Sequence, residues 1–514
     1  MTRKALTLAE NEAQGKWALP DGWVWTTLGE CAQVITGTTP SKKDPSNYGD
    51  YLPLVKPPQL NDDLIYDAED KLSEKGVKLA RVLPPQSVLV SCIGILGKTG
   101  INGVSVAFNQ QINAVVFPSE IMPRYGFYYL QSAEVKRWLY SIASATTVTI
   151  VNKSKFQRTC LPLAPLPEQR RIVAEIETQF TRLDAAVVAL KRVQANIRRY
   201  KAAVLKAACE GRLVPTEAEL ARAEGRDYEP ACQLLARILA ERRARWEAEH
   251  PGKRYKEPAP PDTESLPDLP EGWVWASLEQ LSWNSRYGTS QKCTYDVAGP
   301  PVLRIPNISN GRFDLGDVKL GTKPDELERI DPLAPNDLLI IRTNGSRDLI
   351  GRSALVRNPF DRPTYFASYL IRFRLVDTDS LSLLVAAIWD APMMREWIER
   401  VAATSAGQYN INIGSLNHLP IPLSPTAEQH RLVAEVERRL SVVAALEASV
   451  VAALARAGRL RQAVLKQAFE GRLVAQDPDD EPASVLLERI RAQRAARTPA
   501  KGKHKGKQMR LPTV

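Results

Sequence analysis

A ten-residue stretch that occurs twice constrains this chain more than anything else in it. It reads Glu168-Gln-Arg-Arg-Ile-Val-Ala-Glu-Ile-Glu177 and returns as Glu428-Gln-His-Arg-Leu-Val-Ala-Glu-Val-Glu437, with seven of ten positions identical. Each copy opens a segment of helical periodicity, and each segment closes on Glu-Gly-Arg-Leu-Val, at Glu210–Val214 and Glu470–Val474. The interval from the opening Glu to the closing Arg is the same in both, Glu168 to Arg212 and Glu428 to Arg472. Apolar residues fall seven apart along each: Ile176, Leu183, Leu190, Ile197 and Val204, then Val436, Val443, Val450, Ala457 and Val464. A sustained seven-residue repeat marks helices that pack on each other along a left-handed seam. Gly211 and Gly471 stand where a left-handed cap stops a helix. Matched length, matched ends and one apolar face favour the two helices packing together over each docking only on its own domain.

A second repeat places domains around those helices. Leu19-Pro-Asp-Gly-Trp-Val-Trp25 recurs as Leu269-Pro-Glu-Gly-Trp-Val-Trp275, a Pro/Gly turn entering a strand. A period of about 250 residues is too long for a solenoid and suits tandem domains. After each turn the pattern is mixed. Ser87–Ser91, Ala114–Phe117 and Asp337–Ile341 read as strands, and 124–141 and 382–401 as helical stretches. The expected fold class is mixed α/β: two tandem, pseudo-symmetric α/β units separated by two long pairing helices. The expected divisions are an extension at 1–18, a unit at 19–160, a helical spacer at 161–250 and a linker at 251–268. A second unit at 269–420, a helical spacer at 421–497 and a basic tail at 498–514 follow. Glu229-Pro-Ala231 and Glu481-Pro-Ala483 each lead into a further helix.

The net charge of +11 suggests nucleic acid until it is located. Residues 489–514 hold nine Lys or Arg and no acid, which leaves 60 bases against 58 acids in the rest. Residues 271–420 carry 16 bases and 17 acids. DNA binding by the folded part therefore requires bases segregated onto one face, while the Lys-rich tail would touch phosphate without sequence preference. Six scattered cysteines with no C-x-x-C pair point to reduced thiols and a cytoplasmic setting, with no zinc site. No leader and no long uninterrupted apolar run argue for a membrane.

Most candidate chemistry fails on spacing. Gly97-Lys98-Thr99 looks like the end of a phosphate loop, but the Gly required five positions earlier is Cys92. Arg357-Asn-Pro-Phe360 is half of an adenine-methyltransferase element and lacks its second proline. The polar loops are more promising. Thr38, Thr39, Ser41, Lys42 and Lys43 sit on one turn. Arg342, Asn344, Ser346 and Arg347 follow a strand. These side chains read base edges or hold phosphates. Lys98, its counterpart Arg352, and Gln408 with Tyr409 complete the candidate DNA-binding set.

The whole layout resembles the specificity subunit of Type I restriction-modification enzymes. The carrying residues are the two Leu-Pro-x-Gly-Trp turns, Pro162–Val173 with Pro422–Val433, and Ala203-Val-Leu-Lys206 with Ala463-Val-Leu-Lys466, each followed by Glu-Gly-Arg-Leu. The resemblance spans roughly 19–495. It implies two target recognition domains, each reading one half of a split site in double-stranded DNA, and helices forming an antiparallel coiled coil that fixes the gap. It further implies docking of two methylation subunits, which bring S-adenosylmethionine, and of restriction subunits, which bring ATP and Mg2+; this chain would bind no cofactor and catalyse nothing. Glu168, Gln169, Glu428 and Gln429, with the seam residues, are the candidate coiled-coil and partner positions. The competing expectation is a coiled-coil scaffold that never touches DNA.

Overall fold

The computed structural model describes residues 17–144, 148–309, 311–376, 380–405 and 407–497; most of the expected extension and the basic tail lie outside them. The chain divides into two compact units that do not follow sequence order, Met1–Leu190 with Ala452–Val514, and Lys191–Val451. Two 44-residue helices, Leu166–Cys209 and Thr426–Phe469, each contribute one half to each unit.

In the first unit, the Gly22 turn (φ 78°) leads into strand Val24–Thr27, which pairs antiparallel with Cys160–Leu163. The domain's two ends are thereby joined immediately before the long helix. Between them runs a five-stranded sheet in the order 33–36, 112–116, 88–91, 99–102, 64–65, mostly antiparallel. A four-stranded sheet built on Tyr48–Val55 and Val106–Phe108 accompanies it. Strand Val88–Ser91 shows why its apolar run is unbroken. Val88 and Val90 face a core with Tyr125, Trp138 and Leu139, while Leu89 faces another with Val55, Phe108 and Ile112. A strand covered on both faces has no polar side to alternate. The helical stretch is two helices, Pro123–Leu130 and Ala133–Ile142. Ser132 divides them, its hydroxyl capping the second by accepting from the Val135 amide.

The second unit repeats this. Val274–Ser277 pairs with Pro420–Leu423, and a four-stranded sheet runs 282–287, 370–375, 337–341, 353–355. Leu338 and Ile340 face the helical side, and Leu339 and Ile341 the second sheet. Here too the expected helical stretch is two helices, Leu381–Ile388 and Pro392–Val401, with Pro392 at the start of the second. A three-stranded sheet, 343–344 with 408–410 with 403–405, forms in this unit where the first has single bridges of Ile150 with Ile93 and with Ser144.

The long helices run antiparallel within each unit. In the first, Val173 and Ile176 share a core with Val464, Leu465 and Ala468; in the second, Val204 and Leu205 share one with Leu432, Val433 and Val436. Of the seam positions, Ile176, Ile197, Val204, Val436, Val443, Val450 and Val464 are buried, and Leu183 and Leu190 half-buried. Arg461 interrupts the seam without breaking it, laid 4.0 Å over the Phe180 ring and bonded to Asp184 at 2.7 Å. The helix Thr426–Phe469 contains an 18-residue window of mean hydropathy 1.7, long and apolar enough by composition to cross a membrane, yet 17% of that window is buried within the chain. A heptad seam accounts for part of this apolarity and leaves the rest uncovered.

Candidate nucleic-acid interface

The repeated motifs build a joint that holds each α/β domain to its helices. The Trp23 indole N–H donates to Glu168 Oε2 at 2.9 Å. Gln169 donates to the Ala164 carbonyl at 2.8 Å and accepts from the Met122 amide at 2.9 Å. Arg171 meets Asp480, beyond the end of the other long helix, at 2.7 Å. The second unit repeats the scheme. Gln429 donates to the Ser424 carbonyl and accepts from Ser380, Arg431 meets Glu217 at 2.7 Å, and Glu428 accepts from the Glu217 amide. Glu168, Gln169, Glu428 and Gln429 are all at most 2% exposed, so they are internal joints of the unit and not residues of the seam or of a docking face. Burial pushes both glutamates above the ordinary carboxylate range, opposed in part by those donors.

The closing glycines belong to the same joint. Gly211 and Gly471 adopt φ 63° and 68°, and Arg212 and Arg472 donate back to the carbonyls of Ala207 and Gln467, as a Schellman cap requires. A Cβ on Gly471 would lie 2.2 Å from the Pro20 ring, and one on Gly211 2.4 Å from the Pro270 ring. Helices Ala231–Glu249 and Ala483–Arg497 dock on these turns as well, through Ala231 N to Gly272 O and Ala483 N to Gly22 O.

With the frame fixed, the candidate loops fall at one end of each main sheet. In the first unit, the register Thr36↔Asn113, Ile112↔Ser91 and Val90↔Thr99 sets loops 37–44, 109–111 and 92–98 side by side. Thr38, Thr39, Ser41, Lys42, Lys43 and Lys98 share this end. Gly37 packs so tightly that a Cβ would sit 2.0 Å from the Asn109 carbonyl. Thr38 accepts from the Arg81 amide and Thr39 bonds Gln110 at 2.6 Å. Asp44, held down to about 2 by hydrogen bonds from Lys75 and Ser46, closes the loop.

In the second unit, Tyr287↔Ile371, Ile341↔Leu370 and Ile340↔Ser353 define the same end. The loop from Arg342 to Arg352 emerges there, and the three-stranded sheet brings Asn344 opposite Tyr409 and beside Gln408. Gly288 mirrors Gly37, its Cβ position 2.2 Å from the Phe366 carbonyl. Thr289 N donates to Phe366 O as Thr38 N does to Phe108 O, both at 2.9 Å. Arg347 pairs with Glu399 at 3.0 Å and Arg352 with Asp390 at 2.7 Å.

Comparison with known proteins decides what this paired arrangement belongs to. The pattern of the family described as Type I restriction modification DNA specificity domain matches residues 20–188. The EcoKI specificity subunit of Escherichia coli K12 is 25% identical over 93% of this chain and 97% of its own. The StySPI specificity subunit of Salmonella potsdam is 24% identical over 93% and 96%. The chain carries a Type I restriction modification DNA specificity domain at residues 20–188 and is similar to Type I specificity subunits over 93% of its length. A chain from a solved type I R-M system shares the fold at TM-score 0.58 and 20% identity, covering 89% of this chain and all of that one. The match at 20–188 spans the first α/β unit as well as the opening of a helix, and it lends no support to the bare coiled-coil scaffold.

The sequence concealed several residues of these loop ends. Gly288-Thr289-Ser290 repeats Gly37-Thr38-Thr39, and an offset of 251 would have exposed it. Tyr287, Gln110 and Arg81 carried no local signal, because their roles come from strand register and long-range contact.

Proposed function

We propose that each unit reads one half of a two-part DNA site through the loop end of its main sheet, while the antiparallel helices fix the gap. The observation that carries this is the equivalence of the two loop ends: the same strand ends, the same close-packed glycine and different side chains, as two different half-sites require. On this reading the chain is a non-catalytic subunit. Methylation subunits, two per chain, hold S-adenosylmethionine, and restriction subunits use ATP and Mg2+. The exposed apolar residues Val193, Val442, Leu446 and Val451 on the helices of the second unit, and Val188 on that of the first, support docking of such partners, since apolar surface left in water is area that a partner can bury.

Base-resolution methylation mapping of the chain co-expressed with its methylation subunits tests the proposal. The expected result is adenine methylation at a two-part motif with a fixed gap. Exchange of residues 20–160 for another recognition domain should change one half of the motif only. Methylation scattered without a motif, or a motif indifferent to the exchange, would overturn it.

A further inference from the structure

The second unit's loop end contains one arginine that its neighbours leave without a countercharge. Arg347 and Arg352 are neutralised by Glu399 and Asp390. Arg342 has no carboxylate within ion-pair distance among the described residues; its guanidinium lies 4.5 Å over the Tyr287 ring. Its backbone is pinned on both sides, Arg342 N to Tyr369 O and Ile411 N to Arg342 O, each 2.9 Å. Tyr287 is itself fixed, on the last position of its strand and with its hydroxyl accepting from the Ile413 amide at 3.2 Å. One donor of Arg342 makes a long contact of 3.4 Å from Nη1 to the Ser368 carbonyl, and its Nε is buried without a partner. The Nη1/Nη2 end of the fork keeps unspent donors.

A guanidinium held over an aromatic face has already lost much of its rotamer freedom, so binding costs little further ordering. Its planar fork matches the O6 and N7 acceptors of guanine in the major groove, the pairing a lysine ammonium cannot make. We infer that Arg342 reads a guanine in the half-site of the second unit, with Tyr287 as the positioning residue that aims it. The inference rests on the reading that this loop end faces DNA.

The test uses the full chain assembled with its methylation subunits. Arg342→Lys keeps the charge and loses the fork. Methylation mapping should show discrimination at one guanine of one half-site falling roughly 10- to 100-fold, with the other half unchanged. Tyr287→Leu should show part of the same relaxation and Tyr287→Phe, which keeps the ring, little of it. In binding assays on synthetic duplexes, 7-deazaguanine at that position should weaken the wild type and leave Arg342→Ala indifferent. The unchanged half-site reports that each variant has folded. An intact motif with uniformly weaker binding and a shallower salt dependence would make Arg342 a phosphate contact and overturn the inference alone. A wild type that methylates no two-part motif would overturn the underlying reading with it.

Discussion

The two units share a frame almost residue for residue and differ where they meet the outside. In both, a Gly-Trp turn, a buried Glu-Gln pair, an arginine–carboxylate pair and a glycine-capped helix end build the joint. At the loop ends the first unit offers hydroxyls and lysines, closed by Asp44 and Lys75 at 2.8 Å. The second offers a Tyr-backed arginine, and full strands where the first has single bridges of Ile150 with Ile93 and with Ser144. The difference separates two jobs. Holding a domain on a helix pair admits one solution used twice, whereas the loop end is free to take any solution its target rewards.

The largest effect expected from breaking this symmetry comes from the helices that both units share. Four residues inserted at facing positions of both long helices add about 6 Å at ~1.5 Å per residue. On the proposed reading the gap of the methylated motif should widen by about one to two base pairs at ~3.4 Å each, with both half-sites unchanged. Methylation mapping reads this directly, and an unchanged gap would mean that the helices do not set it.

Next in size is the joint itself. Gly471→Ala places a Cβ against the rigid Pro20 ring at a left-handed φ, so strain and overpacking together should cost about 2–4 kcal/mol. Gly225 is also left-handed, at φ 66°, but has open space around it; Gly225→Ala should cost only about 1 kcal/mol. Glu168→Ala leaves the buried Trp23 indole N–H unpaired, for about 1–3 kcal/mol. Chemical denaturation of the three variants gives the order, and equal costs at Gly471 and Gly225 would show that the Pro20 contact is unimportant.

The frame was legible because its physics is local and repeated. Heptads, glycine caps and Pro-Gly-Trp turns each carry their reason within a few residues, and duplication made them visible twice. The Glu-Gln pair was visible but misplaced: its position at the head of an amphipathic helix suggested a seam or partner role, while its burial depends on Trp23 and Met122, far away in sequence. The helix breaks at Ser132 and Pro392 were legible in principle, since both residues are standard starts. The loop ends were legible only as composition. Which of three arginines is left free is decided by Glu399 and Asp390 on other elements, and the hairpin that carries Gln408 and Tyr409 is defined by pairing with Thr343–Asn344.

The smallest expected effect asks whether the two buried glutamates act alike. Burial raises both carboxyls above their ordinary range, so the folded state retains the proton at pH values where the unfolded chain has released it. Below the ordinary carboxylate range both states are protonated and the groups cost nothing; as pH rises toward the raised folded value, stability is lost, and the loss is complete above it. Glu168→Gln cannot ionise and keeps an oxygen for the Trp23 N–H, so its thermal midpoint relative to wild type should climb from pH 4 to pH 8, by no more than about 4 °C. Glu428→Gln should climb in the same direction. It should climb less wherever the Glu217 amide, which favours the charged carboxylate, offsets more of the burial than the indole of Trp23 does. A midpoint difference flat with pH in both variants would mean that the joints hold ordinary carboxylates, and that the repeated glutamate serves by shape and hydrogen bonding alone.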